Sequence, residues 1–139
     1  MKAVFITGTP ASEKEGILDI MLPRYSKLLP KGEYIKIGRN TTIDSLSKKK
    51  GNVILVGDIV EKTPSGYRIV NEKLVKSLNP ATTIVLHAET DNPEIEEWQS
   101  LIKLYSITNF SGYLKIIRVR EGNIKNAIKE LAYTLKTVL

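Results

Sequence analysis

Cysteine is absent from this 139-residue sequence, and other chemically specialised residues are scarce. Without cysteine the chain can form neither a disulfide nor a thiolate metal site, and cysteine usage says nothing about its redox compartment. The single histidine, His87, ends an apolar run, a position more typical of a strand-end residue than of a catalytic base. Trp98 and Tyr105 share one face of a predicted helix, which favours core packing over a stacking platform.

Long apolar runs are also missing. No stretch approaches the roughly 20 apolar residues that a membrane-spanning helix needs. The N-terminal MKAVFITG has neither the longer apolar stretch nor the small-residue cleavage site of a secretory signal. We therefore expect a cytoplasmic protein that has no membrane partner.

Short apolar runs rich in valine and isoleucine recur along the chain without strict alternation. Such runs are typical of strands buried on both faces of a parallel sheet. Helical patterns lie between them, and alternating strands and helices indicate an α/β fold with helices on the sheet faces. We expect one domain over residues 1–139, a three-layer fold around a parallel five-stranded sheet. Its strands are predicted at Ala3–Thr7, Tyr34–Ile37, Val53–Val56, Thr83–His87 and Tyr113–Val119.

The clearest helical pattern covers residues 124–138, where apolar residues recur every three or four positions after the start signal Gly122-Asn123. Further helices are predicted over Glu94–Tyr105 and Asn71–Leu78. In the first helix, Pro23 should end or kink the chain within about two turns, because proline lacks the N–H that a helix interior requires.

The stretch GTPASEKEG, residues 8–16, lies between the first strand and the first helix, where a phosphate-binding loop belongs. Gly8 and Lys14 have the spacing of G-x-x-x-x-G-K-[S/T]. Glu13 stands where the second glycine belongs, and Glu15 replaces the hydroxyl residue that would bind Mg²⁺. Two carboxylates in the first turn suit a helix dipole better than a polyanion. Gly8 and Lys14 are therefore the candidate remnants of a cofactor-binding loop.

The sequence VFITGTPASEKEG resembles the N-terminal loop of archaeal-type adenylate kinases, T-G-x-P-G-x-G-K-[S/T]-[S/T]. The stretch Lys62-Thr63-Pro64-Ser65-Gly66-Tyr67 is similar to the T-P-S-G-Y that these enzymes carry after their third strand. The resemblance covers nearly the whole chain and implies a P-loop kinase-like core. It also implies that most of the helical insertion that holds the acceptor nucleotide is missing between Gly38 and Gly51.

Three further positions depart from what this resemblance implies. The metal-binding acid at the end of the third strand would fall at Val56, and Asp58 either substitutes for it or serves as a turn residue. The acceptor-nucleotide glycine corresponds to Gly38, but Arg39 follows it where an acid is expected. The lid segment EIEEWQSLIKLYSITNF contains no arginine, although positioned positive charge is what phosphoryl transfer requires.

These departures favour a non-catalytic adenylate-kinase-like protein, a binding module for a protein or ribonucleoprotein partner, without a cofactor or metal. The alternative is a residual nucleotide-binding protein or nucleotide phosphotransferase that uses Lys14, with ATP or ADP and Mg²⁺. A homo-oligomeric scaffold also stays open.

The net charge of +6 suits either solvated lysines or a polyanionic partner. Lys48, Lys49 and Lys50 are the candidate nucleic-acid contacts, with a solvated turn as the alternative. Six basic residues between Ser111 and Leu139, against two acids, extend the basic character to the C-terminal segment.

Overall fold

The computed structural model of the chain describes residues 2–8, 14–46, 51–58, 60–74, 82–88, 113–120 and 122–139, together with Gln99 and Lys103. Seven strands and three helices occur in this part. The strands are β1 (Lys2–Gly8), β2 (Glu33–Lys36), β3 (Asn52–Val56), β4 (Val60–Thr63), β5 (Gly66–Ile69), β6 (Thr82–Ala88) and β7 (Tyr113–Val119). The helices are α1 (Lys14–Arg24), α2 (Ile43–Leu46) and α3 (Ile124–Val138).

Five of the strands form one parallel sheet in the order β2-β3-β1-β6-β7. They coincide with the five predicted apolar runs to within about one residue, so the predicted α/β fold with a five-stranded parallel sheet is confirmed. Because all five strands run in the same direction, their carboxyl ends meet at one edge of the sheet.

The sheet buries both of its faces. Along β1, Val4 and Ile6 point into a core formed with α1 and α3, whereas Phe5 points into a second core with Leu46 and Leu74. This alternation follows from the two-residue repeat of a strand. Helices therefore lie on both sides of the sheet, consistent with the predicted three-layer arrangement.

The helix predictions have mixed outcomes. Helix α3 begins at Ile124, as predicted, although Asn123 makes no side-chain capping bond and the turn depends on Gly122 at φ +74°. Helix α1 ends at Arg24, one residue after Pro23, and the chain continues as turns. Of the predicted helix 71–78, residues 72–74 are helical and 75–78 lie outside the described residues. Of 94–105, only Gln99 and Lys103 are described, and both are helical.

An antiparallel hairpin of β4 and β5 stands apart from the main sheet and was not predicted. Its turn contains Pro64, Ser65 and Gly66, with Gly66 at φ +126°. In the sequence this stretch is recognisable as the motif Lys62-Thr63-Pro64-Ser65-Gly66-Tyr67 of the resembling family. The turn residues between two short alternating runs were the signal that could have revealed the hairpin.

Candidate functional site

The carboxyl edge of the sheet contains a point at which the chain changes direction. The connection from β1 leads to β2 on one side, and the connection from β6 leads to β7 on the other, although β1 and β6 are neighbours. In open α/β sheets ligands bind outside the carboxyl ends of the strands at such a point. This edge is therefore the candidate site that the topology selects.

Two of the residues predicted from the sequence, Gly8 and Lys14, belong to the elements that meet at this point. Gly8 is the buried last residue of β1 and pairs with Leu86 of β6, while Lys14 is the first residue of α1. Residues 9–13, between them, lie outside the described residues, as do Lys48, Lys49 and Lys50. The structure thus places Gly8 at the end of β1 and Lys14 at the start of α1.

The end of β3 presents an apolar residue where the resemblance implies a metal-binding acid. Val56 is only 3% exposed and belongs to the core cluster that includes Ile17 and Leu18. The next residue, Gly57, donates its N–H to the carbonyl of Ile6 at 3.1 Å, which holds the chain close to β1. Asp58 is the first carboxylate beyond the strand, and it is exposed.

Gly57 leaves no space for any side chain. A Cβ atom there would overlap the carbonyl oxygen of Ile37 and lie 2.9 Å from Ile37 Cγ1. Real Cβ contacts almost never fall below 3.0 Å. A carboxylate at the end of β3 can therefore arise only at position 56, which is buried, or at position 58.

The loop after β2, residues 38–42, is held by its own hydrogen bonds, and we call it the Gly38 loop. The N–H of Gly38 donates to Thr41 Oγ1 at 2.9 Å, and the N–H of Thr41 donates to the carbonyl of Gly38 at 3.2 Å. Asn71 Nδ2 donates to the carbonyls of Gly38 and Thr41 at 3.0 and 2.8 Å. Asn71 Oδ1 also accepts from the N–H of Leu74 at 3.2 Å. One amide side chain thus joins the loop to the helical segment 72–74.

An ion-pair cluster ties the Gly38 loop to the hairpin. Glu61 of β4 accepts from Arg39 Nη2 and from Arg68 Nε, each at 2.5 Å. The hydrogen bonds from Arg68 and then Arg39 hold the pKa of the Glu61 carboxyl below its ordinary value. The resemblance implies an acid at position 39, and Arg39 stands there instead. Its ion pair with Glu61 joins the Gly38 loop to the hairpin.

Sequence reasoning missed Glu61, Arg68 and Asn71. Glu61 is 22 residues from Arg39, and Asn71 is 33 residues from Gly38. Hydrogen bonds over such separations leave no local pattern. A correct prediction of the β4–β5 hairpin would have placed Glu61 beside Arg68, because the two residues are cross-strand partners.

A cavity of about 390 Å³ lies against the Gly38 loop. Its lining includes two cationic side chains, one carboxylate and several amide or hydroxyl groups: Arg39, Lys73, Asp44, Asn40, Thr41 and Asn71. Its volume falls within the range of about 300–1,000 Å³ typical of small-molecule sites. The chemistry of the lining suits a small polar or anionic molecule.

Three other residues were singled out from the sequence. His87 lies half-buried within β6, whereas Trp98 and Tyr105 lie outside the described residues. In the described ranges no group of three histidine, cysteine or acidic residues is placed to hold a metal ion. In the same part of the chain, no helix has the length and apolar character needed to cross a membrane.

Comparison with known proteins adds no further assignment. No protein-family model matches the sequence, and no curated protein matches it.

Proposed function

We propose that this chain is a non-catalytic, adenylate-kinase-like binding module whose partner is a protein or a ribonucleoprotein. The observation that carries the proposal is the end of β3, where the buried Val56 occupies the position implied for a metal-binding acid. Phosphoryl transfer requires a metal ion that neutralises the charge developing on the phosphate oxygens, and a carboxylate must hold that ion. Burial of Val56 in the core gives this position a packing role instead.

The neighbouring contacts support the same proposal. Gly57 cannot be replaced by an acid, because its Cβ would meet the backbone of Ile37. The Gly38 loop uses its hydrogen-bonding groups on Thr41 and Asn71, and Arg39 uses its guanidinium on Glu61. These described groups are bonded within the protein itself, which suits a stable surface rather than turnover.

Thermal denaturation with ATP, ADP and AMP, each with and without Mg²⁺, tests this function. For 139 residues the unfolding entropy corresponds to about 0.3 kcal/mol per kelvin. A nucleotide present at about 100 times its Kd adds about 2.7 kcal/mol and would raise the Tm by about 9 °C. We expect no shift at millimolar nucleotide. A Mg²⁺-dependent shift would overturn the proposal.

Nucleotide binding is the second candidate, and the cavity beside the Gly38 loop favours it. Lys73 contributes positive charge to the lining of a volume of about 390 Å³ that a small anion could enter. On this hypothesis Lys14 contacts phosphate and Asp58 holds Mg²⁺. A nucleotide-induced Tm shift that disappears in Lys14→Ala, but persists in the matched exposed variant Lys31→Ala, would support it.

A further inference from the structure

Helix α3 has one face in the core and an opposite face with a distinct chemistry. Its buried residues all belong to the core cluster shared with α1: Ala127, Ile128, Leu131, Ala132 and Leu135. The exposed side is cationic, with a half-exposed aromatic ring among the lysines.

Four exposed residues of α3 follow one another at helical spacing. Lys125, Lys129, Tyr133 and Lys136 are separated by four, four and three positions, which places them in one row on the helix surface. Tyr133 is 50% exposed and lies between Lys129 and Lys136. The row extends over about 16 Å of helix, and we call it the Lys–Tyr row.

The charge of this row is not neutralised within the helix. Glu130 is the single acid of α3, and its carboxylate forms an ion pair with Lys115 of β7 at 3.2 Å. The ion pairs seen in the described ranges include none to Lys125, Lys129 or Lys136. The row is thus a surface of excess positive charge along one helix.

We propose that the Lys–Tyr row binds single-stranded RNA. The proposal rests on the proposed function, because it names the ribonucleoprotein partner of a non-catalytic module. Lysines are complementary to phosphates, and an exposed aromatic ring offers a face on which an unpaired base can stack. At about 3.4 Å per stacked nucleotide, 16 Å corresponds to about five nucleotides.

Alternative partners fit the row less well. An acidic peptide would satisfy the lysines but has no flat base to cover the ring of Tyr133. A membrane surface would need a wider apolar face than one tyrosine provides. A duplex keeps its bases paired and would leave the ring unused.

Fluorescence anisotropy of the full chain with a labelled pyrimidine RNA of about 12 nucleotides tests the proposal. Each lysine–phosphate contact on a single strand contributes about −0.7 to the slope of log affinity against log salt. Three lysines give a slope of about −2, so the affinity should fall about 20-fold between about 50 and about 200 mM salt. A flat salt response, or no binding at the lower salt concentration, would overturn the proposal.

Matched variants assign the binding to this surface. Lys125→Gln with Lys129→Gln should reduce the magnitude of the slope by about 1.4. Lys27→Gln with Lys31→Gln removes the same charge from two exposed lysines between α1 and β2, outside the row, and should leave the slope unchanged. Equal changes in both double variants would mean that net charge, not the row, determines binding.

Variants of Tyr133 test the stacking contact separately from charge, because they change the RNA affinity without changing the number of lysines. Tyr133→Ala should weaken RNA binding at least about 5-fold without changing the salt slope, whereas Tyr133→Phe should retain the wild-type affinity. Wild-type affinity in Tyr133→Ala would overturn the stacking contact. Far-UV circular dichroism of each variant checks that α3 is intact.

The two proposals can fail separately. If neither RNA binding nor a nucleotide-induced Tm shift is observed, the RNA proposal for the Lys–Tyr row is overturned. The non-catalytic binding module would then have a protein partner. A Mg²⁺-dependent nucleotide shift would overturn the non-catalytic function whether or not RNA binds.

Discussion

Replacing Gly57 by alanine should destabilise the protein more than the small size of a methyl group suggests. The new Cβ would overlap the carbonyl oxygen of Ile37 and lie 2.9 Å from Ile37 Cγ1. Ordinary van der Waals contact begins at 3.4 Å, so the segments that contain Ile37 and Gly57 must separate by more than about 0.5 Å, because the carbonyl oxygen is closer than Cγ1. The nearest atom belongs to the backbone, which cannot rotate away as a flexible side chain could.

The magnitude follows from two contributions. Overpacking in a tightly packed region costs about 1–3 kcal/mol. Movement of Ile37 also weakens the 2.9 Å hydrogen bond from its N–H to the carbonyl of Val56, which contributes about 1 kcal/mol. We expect Gly57→Ala to lower the free energy of unfolding by about 3 kcal/mol, corresponding to a fall in Tm of about 10 °C.

Urea denaturation of Gly57→Ala and Gly16→Ala provides the measurement and its control. Gly16 lies in the first turn of α1, and nothing comes within 4 Å of a Cβ added there. Alanine should therefore raise stability by about 0.5–1 kcal/mol at that position, because it restricts the unfolded chain and favours the helix. A Gly57→Ala protein within about 0.5 kcal/mol of the wild type would refute the close approach of the β2 and β3 ends.

Two further substitutions test the ion-pair cluster and the core. Arg68 and Arg39 lower the pKa of Glu61 from its ordinary value near 4.5, so these contacts stabilise the fold above that pH and are lost as pH falls through the folded-state pKa. The Tm deficit of Glu61→Gln relative to wild type should therefore shrink between about pH 7 and about pH 3, and a deficit that persists unchanged in acid would contradict the assignment. Thr83 is fully buried in β6, and its hydroxyl has no hydrogen-bond partner in the described part of the chain. Thr83→Val should raise the free energy of unfolding by about 1 kcal/mol in urea denaturation, and a loss of stability would show that the hydroxyl does have a partner.

The main sheet was predictable because its signal is local. Strands buried on both faces must be apolar at successive positions, and runs such as Val53–Val56 show this directly. Helix α3 was predictable for a related reason, since its apolar residues recur at the period of a helix that covers one face of the sheet.

The candidate site was only partly predictable. The spacing of Gly8 and Lys14 predicts a remnant phosphate loop; the structure places the two residues at the end of β1 and the start of α1, and their contact with phosphate stays a prediction. The role of Arg39 could not be predicted, because its partner Glu61 lies on a hairpin whose strands are short and partly exposed. The constraint at Gly57 was also hidden, because it arises from Ile37 of a neighbouring segment.

The sequence by itself therefore determined the α/β class, the five strands of the main sheet, the apolar face of α3 and the departures from an intact phosphate-binding loop. Each depends on residue types at short spacing along the chain. Only the tertiary structure decided the strand order, the burial of Val56, the Arg39–Glu61–Arg68 cluster and the positive charge left on the Lys–Tyr row. Those features depend on which distant segments meet, and that is set by burial of the whole sheet between its two cores.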